Sequence, residues 1–383
     1  MTVVPTVLMT ALEAALEGTG AAVVPGASAP GRPIPPGVAV VLTTSGSTSG
    51  TGRAVALSAR ALRASAVATH DRLGGPGQWL LALPIDHVAG LQVLVRSVVA
   101  GTRPVVAPAG HFDPRSLTAS IRTMRTDVPR YLSLVPTQLV RTLAADAEAV
   151  RALRECTAVL VGGAATPAAV LEEARDRGVP VVNTYGMTET CGGCVYDGVP
   201  LEGVDVRVDE GGRIHLAGDV LAAGYLDDDV LAAGYLDDDG GGGAFVEHEG
   251  RRWFRTPDAG TFDAGTLHVL GRVDDVVVTG GVNVHPLDVE RTLAAVETVG
   301  EMVVVGVPDQ EWGQLLTAVV VPRTGRAAPT LTRLREAAGH GAHAPRALVV
   351  VGHLALRGPG KVDRRAAAAL AAAALARGEG ERY

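Results

Sequence analysis

The chain has 383 residues, 47% of them hydrophobic and 20% charged, the balance of a folded globular protein and not of a disordered one. Thirty-four basic against 41 acidic side chains leave a formal charge of −7, which argues against backbone-driven nucleic-acid binding. No apolar run approaches the roughly 18–20 residues that span a bilayer. The N-terminal stretch carries Glu13 and Glu17 without a basic segment, unlike a signal peptide, and three cysteines suit a reducing cytosol. Apolar runs then alternate with helix-spaced segments through the first 200 residues. Residues 37–44 read as a strand, a Gly/Ser/Thr loop follows, and Ser58 caps a helix expected to reach Arg72. Further strands are expected at 79–83, 103–107, 130–136, 157–163 and 179–185. Helices are expected at 87–100, 114–126, 136–147 and 167–178, the last opened by Thr166 as cap and Pro167 at the first helical position. Such alternation predicts a largely parallel sheet with helices on its faces.

From about residue 200 short strands and turns suggest an antiparallel subdomain. After Gly271 an α+β pattern begins, with strands in DVVVTGG, EMVVVGV, LLTAVVV and ALVVVG, helices from Pro286 and near 331–338, and an alanine-rich C-terminal helix. The boundary is expected at 271–275, giving units of 1–271 and 272–383. Residues 219–228 (DVLAAGYLDD) recur identically at 229–238, ahead of a run of four glycines. Two ten-residue copies are too few and too short for a repeat architecture. They read as a tandem duplication in a surface connection, one copy holding a strand register and the other forming loop, since added loop length costs little entropy.

Four segments carry candidate chemistry. TTSGSTSGTGR (43–53) can wrap phosphate oxygens with backbone N–H groups and hydroxyls, with Arg53 adding charge. In NTYGMTET (183–190), at a strand's C-terminal end, Tyr185 offers a flat ring, Thr188 a hydroxyl and Glu189 a carboxylate able to hold a hard cation such as Mg²⁺. RTPDAG (255–260) with GRVDD (271–275) places Asp258 for a ribose diol and Arg272 for the sugar or a phosphate. Taken singly, these are equally a flexible linker, a polar strand exit and a turn with a surface ion pair. GPGKVDRR (358–365) holds Lys361, the one lysine among 34 basic residues. Arginine replaces lysine easily on a solvated surface and poorly where a compact, flexible point charge is needed, so that position reads as functional.

In this order and spacing the segments resemble the adenylate-forming superfamily of acyl- and aryl-CoA synthetases, nonribosomal adenylation domains and luciferases, over about residues 38–370. LPIDHVAGLQVLVRSVVAG (83–101), VGGAATP (161–167) and TETCGGCVYDG (188–198) are most similar to the o-succinylbenzoate–CoA ligases of menaquinone biosynthesis. The resemblance implies an α/β adenylate-forming fold: a large N-terminal domain of mixed and parallel sheets flanked by helices, and a small, mobile α+β C-terminal domain. It implies an AMP-forming acid–thiol ligase that uses ATP, Mg²⁺ and coenzyme A. Thr44, Ser45, Gly46, Ser47 and Thr48, with Arg53, would meet the β- and γ-phosphates. Gly163 and Ala164 would line the adenine and acyl pocket, and Tyr185 would stack on adenine. Thr188 and Glu189 would hold the α-phosphate and Mg²⁺, and Asp258 and Arg272 the ribose. His87 would open the helix that floors the acyl site, with Gly186 and Cys191 beside it. Arg96, nine residues on, would meet the second carboxylate of a keto-dicarboxylic acid. Asp274 would be the hinge, and Gly280–Gly281 would face the thioester step. Lys361 would bridge carboxylate and α-phosphate during adenylation.

Two departures stand out: Arg53 replaces the usual lysine of the phosphate loop, and Pro257 replaces a glycine, removing a backbone donor. Cys191 and Cys194 lack a second pair to complete a zinc site and lack a thioredoxin-like context, so they read as small pocket side chains. The expected partners are small molecules, o-succinylbenzoate, ATP and CoA, in the cytoplasm, with neither nucleic acid nor membrane insertion and with a homodimer left open. Another aryl or acyl acid, a carrier-protein acceptor, and an inactive adenylate-binding protein are the competing readings.

Overall fold

Side-chain alternation along five short strands decides the layering of the larger part of the molecule. A computed structural model describes residues 6–26, 33–44, 52–226, 243–357 and 361–383. Helix α1 (Thr6–Glu17) precedes a hairpin of β1 (Val38–Thr43) and β2 (Ala54–Ser58), and α2 (Ala59–Leu73) follows. Strands β3 (Gln78–Leu81), β4 (Val105–Val106), β5 (Arg130–Leu134), β6 (Ala158–Val161), β7 (Val181–Met187), β8 (Gly192–Tyr196) and β9 (Val199–Pro200) form one sheet in the order β4-β3-β5-β6-β7-β8-β9. Pairing is parallel from β4 to β7 and antiparallel beyond. Its helices are α3 (Val88–Val99), α4 (Pro114–Arg122), α5 (Pro136–Ala144), α6 (Ala147–Arg154) and α7 (Ala168–Asp176). Trp79, Leu81, Tyr131 and Leu160 pack with α1, α2 and α3, whereas Leu80, Leu132, Val159 and Val161 pack with α4 to α7. Successive residues therefore enter opposite layers, as a sheet covered on both faces requires.

An antiparallel sheet follows: β10 (Val204–Val208), β11 (Arg213–Gly218), β13 (Phe245–His248), β14 (Arg251–Asp263) and β15 (Thr266–Arg272), while β12 (Gly224–Tyr225) joins β2. The C-terminal segment holds β16 (Val277–Thr279), β17 (Val282–Val284), α8 (Pro286–Leu293), β18 (Val299–Asp309), β19 (Gly313–Pro322), α9 (Leu331–Ala337), β20 (Ala347–Val350), the pair β21 (Leu356–Arg357) and β22 (Lys361–Val362), α10 (Arg364–Ala376) and β23 (Glu381–Arg382). Its two apolar clusters draw only on residues from Val277 onward.

Three sequence expectations change. The Gly/Ser/Thr loop runs into β2, not into a helix; Ser58 then caps α2, accepting from the Ala61 N–H at 3.1 Å. The helix expected over 136–147 ends at Ala144, and Asp146 caps a separate helix α6 by accepting from the Ala149 N–H. Thr166 does not cap α7: Pro167 holds the cap position and the Thr166 hydroxyl is buried without a partner among the described residues. Pro257 sits where β14 bulges, between the pairs Arg213↔Ala259 and His215↔Arg255. A proline is tolerated there because the ladder is already interrupted.

Candidate active site

The phosphate-type loop is closed by its flanks. Thr44 N donates to the Arg53 carbonyl at 2.9 Å, and Arg53 N donates to Thr44 Oγ1 at 3.0 Å. Ser45, Gly46, Ser47 and Thr48 lie outside the described residues. The Arg53 guanidinium rests 3.5 Å from the centroid of the Tyr225 ring, a cation–π contact. The Tyr225 hydroxyl donates to Glu189 Oε1 at 2.8 Å. Glu189 is buried, and burial pushes its carboxyl above the usual range, opposed by the Tyr225 hydrogen bond and the Arg53 charge.

Glu189 sits in a single 3₁₀ turn, Thr188–Thr190, directly after β7. The Thr190 hydroxyl pins this turn, accepting from Met187 N and donating to the Gly192 carbonyl at 2.7 Å. Thr188, half-buried, opens the turn. Four residues before Glu189, the Tyr185 hydroxyl donates to Asp258 Oδ2 at 2.9 Å, 73 residues away in sequence. Burial first, and then the Asp258 charge, hold the Tyr185 phenol well above its ordinary pKa, so it remains a donor at neutral pH. Asp258 pairs with Arg272 across β14 and β15, and Arg272 Nη2 lies 3.6 Å from Asp274 Oδ2 in the turn that follows. The Arg53 end of the loop, the β7 exit and the strand-paired Asp258 and Arg272 therefore meet in one place. Gly163 and Ala164 are exposed where β6 ends, and an added Cβ on Gly162 would lie 2.2 Å from Thr184 Oγ1. That close approach holds the β6 exit against the residue preceding Tyr185.

The helix α3 approaches the same region. An added Cβ on Gly192 would meet Gln92 Cγ at 3.3 Å, and Gln92 Nε2 donates to the Cys191 carbonyl at 2.6 Å, which also accepts from Ser65 Oγ. His87, half-buried, occupies the cap position of α3 without a capping bond from its side chain. Gly186 is required sterically, since a Cβ there would stand 2.1 Å from the Gly192 carbonyl oxygen. Cys191 and Cys194 are fully buried free thiols, and burial pushes both upward, Cys194 to about 12. Thiols of that kind are inert, in keeping with packing and not with redox or metal chemistry.

Arg96 is not at the surface of this site. It is 3% exposed, lies 4.7 Å from the Trp79 ring centroid, and has its Nη2 at 3.4 Å from the Tyr196 hydroxyl. No acidic side chain pairs with it among the described residues, and its Nε has no hydrogen-bond partner. Gly280 and Gly281 form the β16–β17 turn with φ of +57° and +79°, and a Cβ on Gly280 would strike the Trp312 ring at 2.9 Å. Asp274 lies exposed in the turn Val273–Asp275. The backbone of Lys361 pairs with Arg357 in β21–β22, and its side chain lies outside the described residues. Tyr225 was missed by sequence reasoning: its Gly-Tyr pair stands in the first duplicated copy, read as a surface connection. In fact Val220, Leu221, Ala222, Tyr225 and Leu226 are buried. Arg252 holds that copy by donating to the Ala222 and Ala223 carbonyls, each at 2.7 Å. Among the described residues no group of three or more His, Cys, Asp or Glu could hold a metal, and no helix is long and apolar enough to cross a membrane.

The family model described as AMP-binding enzyme matches residues 4–226, and that described as AMP-binding enzyme C-terminal domain matches residues 288–361. A probable 2-succinylbenzoate–CoA ligase of Mycobacterium tuberculosis (strain CDC 1551 / Oshkosh) is 45% identical over 348 residues, covering 89% of this chain and 86% of that one. A 2-succinylbenzoate–CoA ligase of Listeria innocua is 30% identical over 299 residues, covering 75% of this chain and 60% of that one. The solved structure of the Bacillus subtilis o-succinylbenzoate CoA synthetase in complex with the acyl-adenylate intermediate OSB-AMP superposes with a TM-score of 0.69 at 27% identity, over 86% of this chain and 68% of that chain.

Proposed function

The chain belongs to the AMP-binding enzyme family, and from that premise we propose that it converts o-succinylbenzoate to o-succinylbenzoyl-CoA through an acyl-adenylate, releasing AMP and pyrophosphate. A carboxylate oxygen of the acid attacks the α-phosphorus of ATP, forming the acyl–phosphate bond as the bond to pyrophosphate breaks. The CoA thiol sulfur then attacks the acyl carbon, forming the thioester and expelling AMP. The observation that carries the reading of the acid is Arg96. A buried guanidinium without an acidic partner is costly unless an anion reaches it, and o-succinylbenzoate brings a second carboxylate.

In this reading the backbone of the 43–53 loop receives the distal phosphates, with Arg53 held in place on the Tyr225 ring. Tyr185 presents its face to adenine while its hydroxyl holds Asp258, which accepts from the ribose diol beside Arg272. Glu189, a buried carboxylate ordered by the Tyr225 hydroxyl, would hold Mg²⁺. The ion would supply positive charge against the phosphate oxygens. Thr188 donates to the α-phosphate. His87 borders the acyl pocket with Cys191 buried behind its wall, and Lys361 offsets the repulsion between carboxylate and phosphate. We place the domain boundary between residues 271 and 272, with Asp274 as the hinge that exchanges Lys361 for the Gly280–Gly281 turn between half-reactions.

The test is pyrophosphate release and CoA-thioester formation over a panel of aryl and acyl acids. Turnover is expected to favour o-succinylbenzoate, and a preference for a monocarboxylate, or transfer to a carrier protein only, overturns the substrate reading. Lys361→Ala is expected to slow adenylation by about 10²–10³ and to leave thioester formation from preformed adenylate near the parent rate. Lys361→Arg should behave like Lys361→Ala, because a planar fork does not replace a point charge.

A further inference from the structure

Three residues beyond Lys361, the guanidinium of Arg364 gathers three separate elements. Its Nη1 and Nη2 donate to Glu290 Oε1 and Oε2 at 2.6 and 2.9 Å, a bidentate pair with α8. Nη1 also donates to the Val304 carbonyl at 2.8 Å, while Val304 N donates back to Glu290 Oε1 at 2.7 Å, closing a ring of bonds onto β18. Nε stands 3.5 Å from Asp275 Oδ2, in the turn that also contains Asp274. The Glu290 side chain is 14% exposed and that of Arg364 26%, so the pair is largely withdrawn from water. The stretch between Arg364 and Lys361 is equally constrained. Asp363 caps α10 by accepting from Ala366 N at 3.0 Å, its own N–H donates to the Ala355 carbonyl, and Val362 pairs with Leu356. Four consecutive residues are thus fixed by strand pairing, a cap and a charged clamp, with the lysine at one end and a contact to the Val273–Asp275 turn at the other.

We propose that Arg364 is a positioning residue for adenylation: by clamping Glu290 and the Val304 backbone while reaching Asp275, it fixes the backbone of Lys361 to the turn about which the C-terminal unit moves. This deepens the role given to Lys361 above and rests on it. Packing alone needs no such arrangement, since an apolar side chain can seat α10 on β18 without desolvating a charge. A bidentate fork fixes orientation as well as distance, and a lysine that must bridge two anions in line tolerates little misplacement.

The experiment compares Arg364→Lys, Asp275→Asn and Lys361→Ala in the full chain, measuring both half-reactions separately and thermal stability alongside. Arg364→Lys keeps the charge and loses the fork; Asp275→Asn removes only the contact to the turn and guards against a clamp variant that fails to fold. Both are expected to slow adenylation about tenfold or more, with thioester formation from preformed acyl-adenylate within about twofold of the parent. The Gly280–Gly281 turn lies in the same C-terminal segment, so general loosening of that segment lowers both half-reactions together. That result marks a structural salt bridge and overturns the proposal. It is equally overturned if Lys361→Ala abolishes adenylation while Arg364→Lys and Asp275→Asn leave it unchanged. If Lys361→Ala itself leaves adenylation intact, the reading of the lysine fails and takes this proposal with it.

Discussion

The Tyr225 hydroxyl donates to Glu189 at 2.8 Å while its ring carries the Arg53 guanidinium at 3.5 Å, so one side chain orders a buried carboxylate and the cation of the phosphate-type loop together. Tyr225→Phe separates these two duties, since phenylalanine keeps the ring and loses the donor. A hydrogen bond to a charged group contributes about 1.5–3 kcal/mol, equivalent to roughly tenfold to a hundredfold in rate. The variant, made in a chain lacking Asp229–Asp238 so that one Gly-Tyr copy is present, is expected to slow adenylation by that amount. The Glu189 carboxyl, already raised by burial, rises further, so the acid limb of the adenylation pH profile moves to higher pH. An unmoved acid limb in the slowed variant contradicts the assignment of Glu189 as the ionised group.

Arg96 offers a test in which stability and function part company. Its guanidinium is buried over Trp79 beside Tyr196 and has no acidic partner among the described residues. Replacing an unpaired buried charge with an apolar chain of similar length removes a desolvation cost. Arg96→Met should therefore melt no lower than the parent. Its KM for o-succinylbenzoate should rise at least about tenfold, and its KM for ATP should stay nearly unchanged, because a charge-assisted contact of about 1.5–3 kcal/mol is lost for one substrate alone. Equal losses for both substrates point to disturbed folding.

The parallel sheet was legible because its strands are short apolar runs bounded by Gly and Pro, and β3, β5, β6 and β7 fall inside the expected segments apart from one or two terminal residues. Strand β2 was not. Residues 54–58 (AVALS) are too short to show a period, and their identity comes from pairing with β1 and, through Gly224 and Tyr225, with β12. Thr166-Pro167 carries a local capping signal that the tertiary structure overrides, leaving the hydroxyl buried and without a partner among the described residues. The convergence of Tyr185 with Asp258 spans 73 residues, and periodicity carries no information over such a distance. Only the order of the motifs pointed to it. Tyr225 was hidden for another reason: repetition made its segment look like spare loop.

The duplicated segment gives a prediction on stability. The first copy already supplies the β2 pairing, with Gly224 opposite Ala56 and Tyr225 opposite Val55, and buries Val220, Leu221, Ala222 and Leu226. The second copy, 229–238, lies outside the described residues. Deleting Asp229–Asp238 leaves every one of those contacts in place and shortens the connection. The deleted chain should be as soluble as the parent and melt at the same temperature or slightly higher, given the weak dependence of closure entropy on length. Insolubility of the deletion alone assigns the second copy a structural role.

Behind the acyl side of the site, His70 makes stability depend on pH. It is 2% exposed, and Trp79 Nε1 donates to its Nε2 at 3.1 Å, which requires a neutral ring. Burial, reinforced by the Arg96 charge and only partly opposed by Asp71, lowers its pKa from 6.5 to about 4. The unfolded chain therefore binds more protons at this residue between those two values. Stability rises with pH across that window: the contribution of His70 is complete above pH 6.5 and is lost as pH falls toward 4, about 3 kcal/mol in all. His70→Gln keeps an acceptor for the indole and does not titrate. Its melting temperature is expected to fall less than that of the parent between pH 6.5 and 4, the carboxylates common to both chains cancelling in the difference. Arg96→Met removes a neighbouring positive charge, so in that background His70 should titrate closer to its ordinary value and the window should narrow from below. Parallel melting curves for the parent and His70→Gln would show that His70 is not the titrating group.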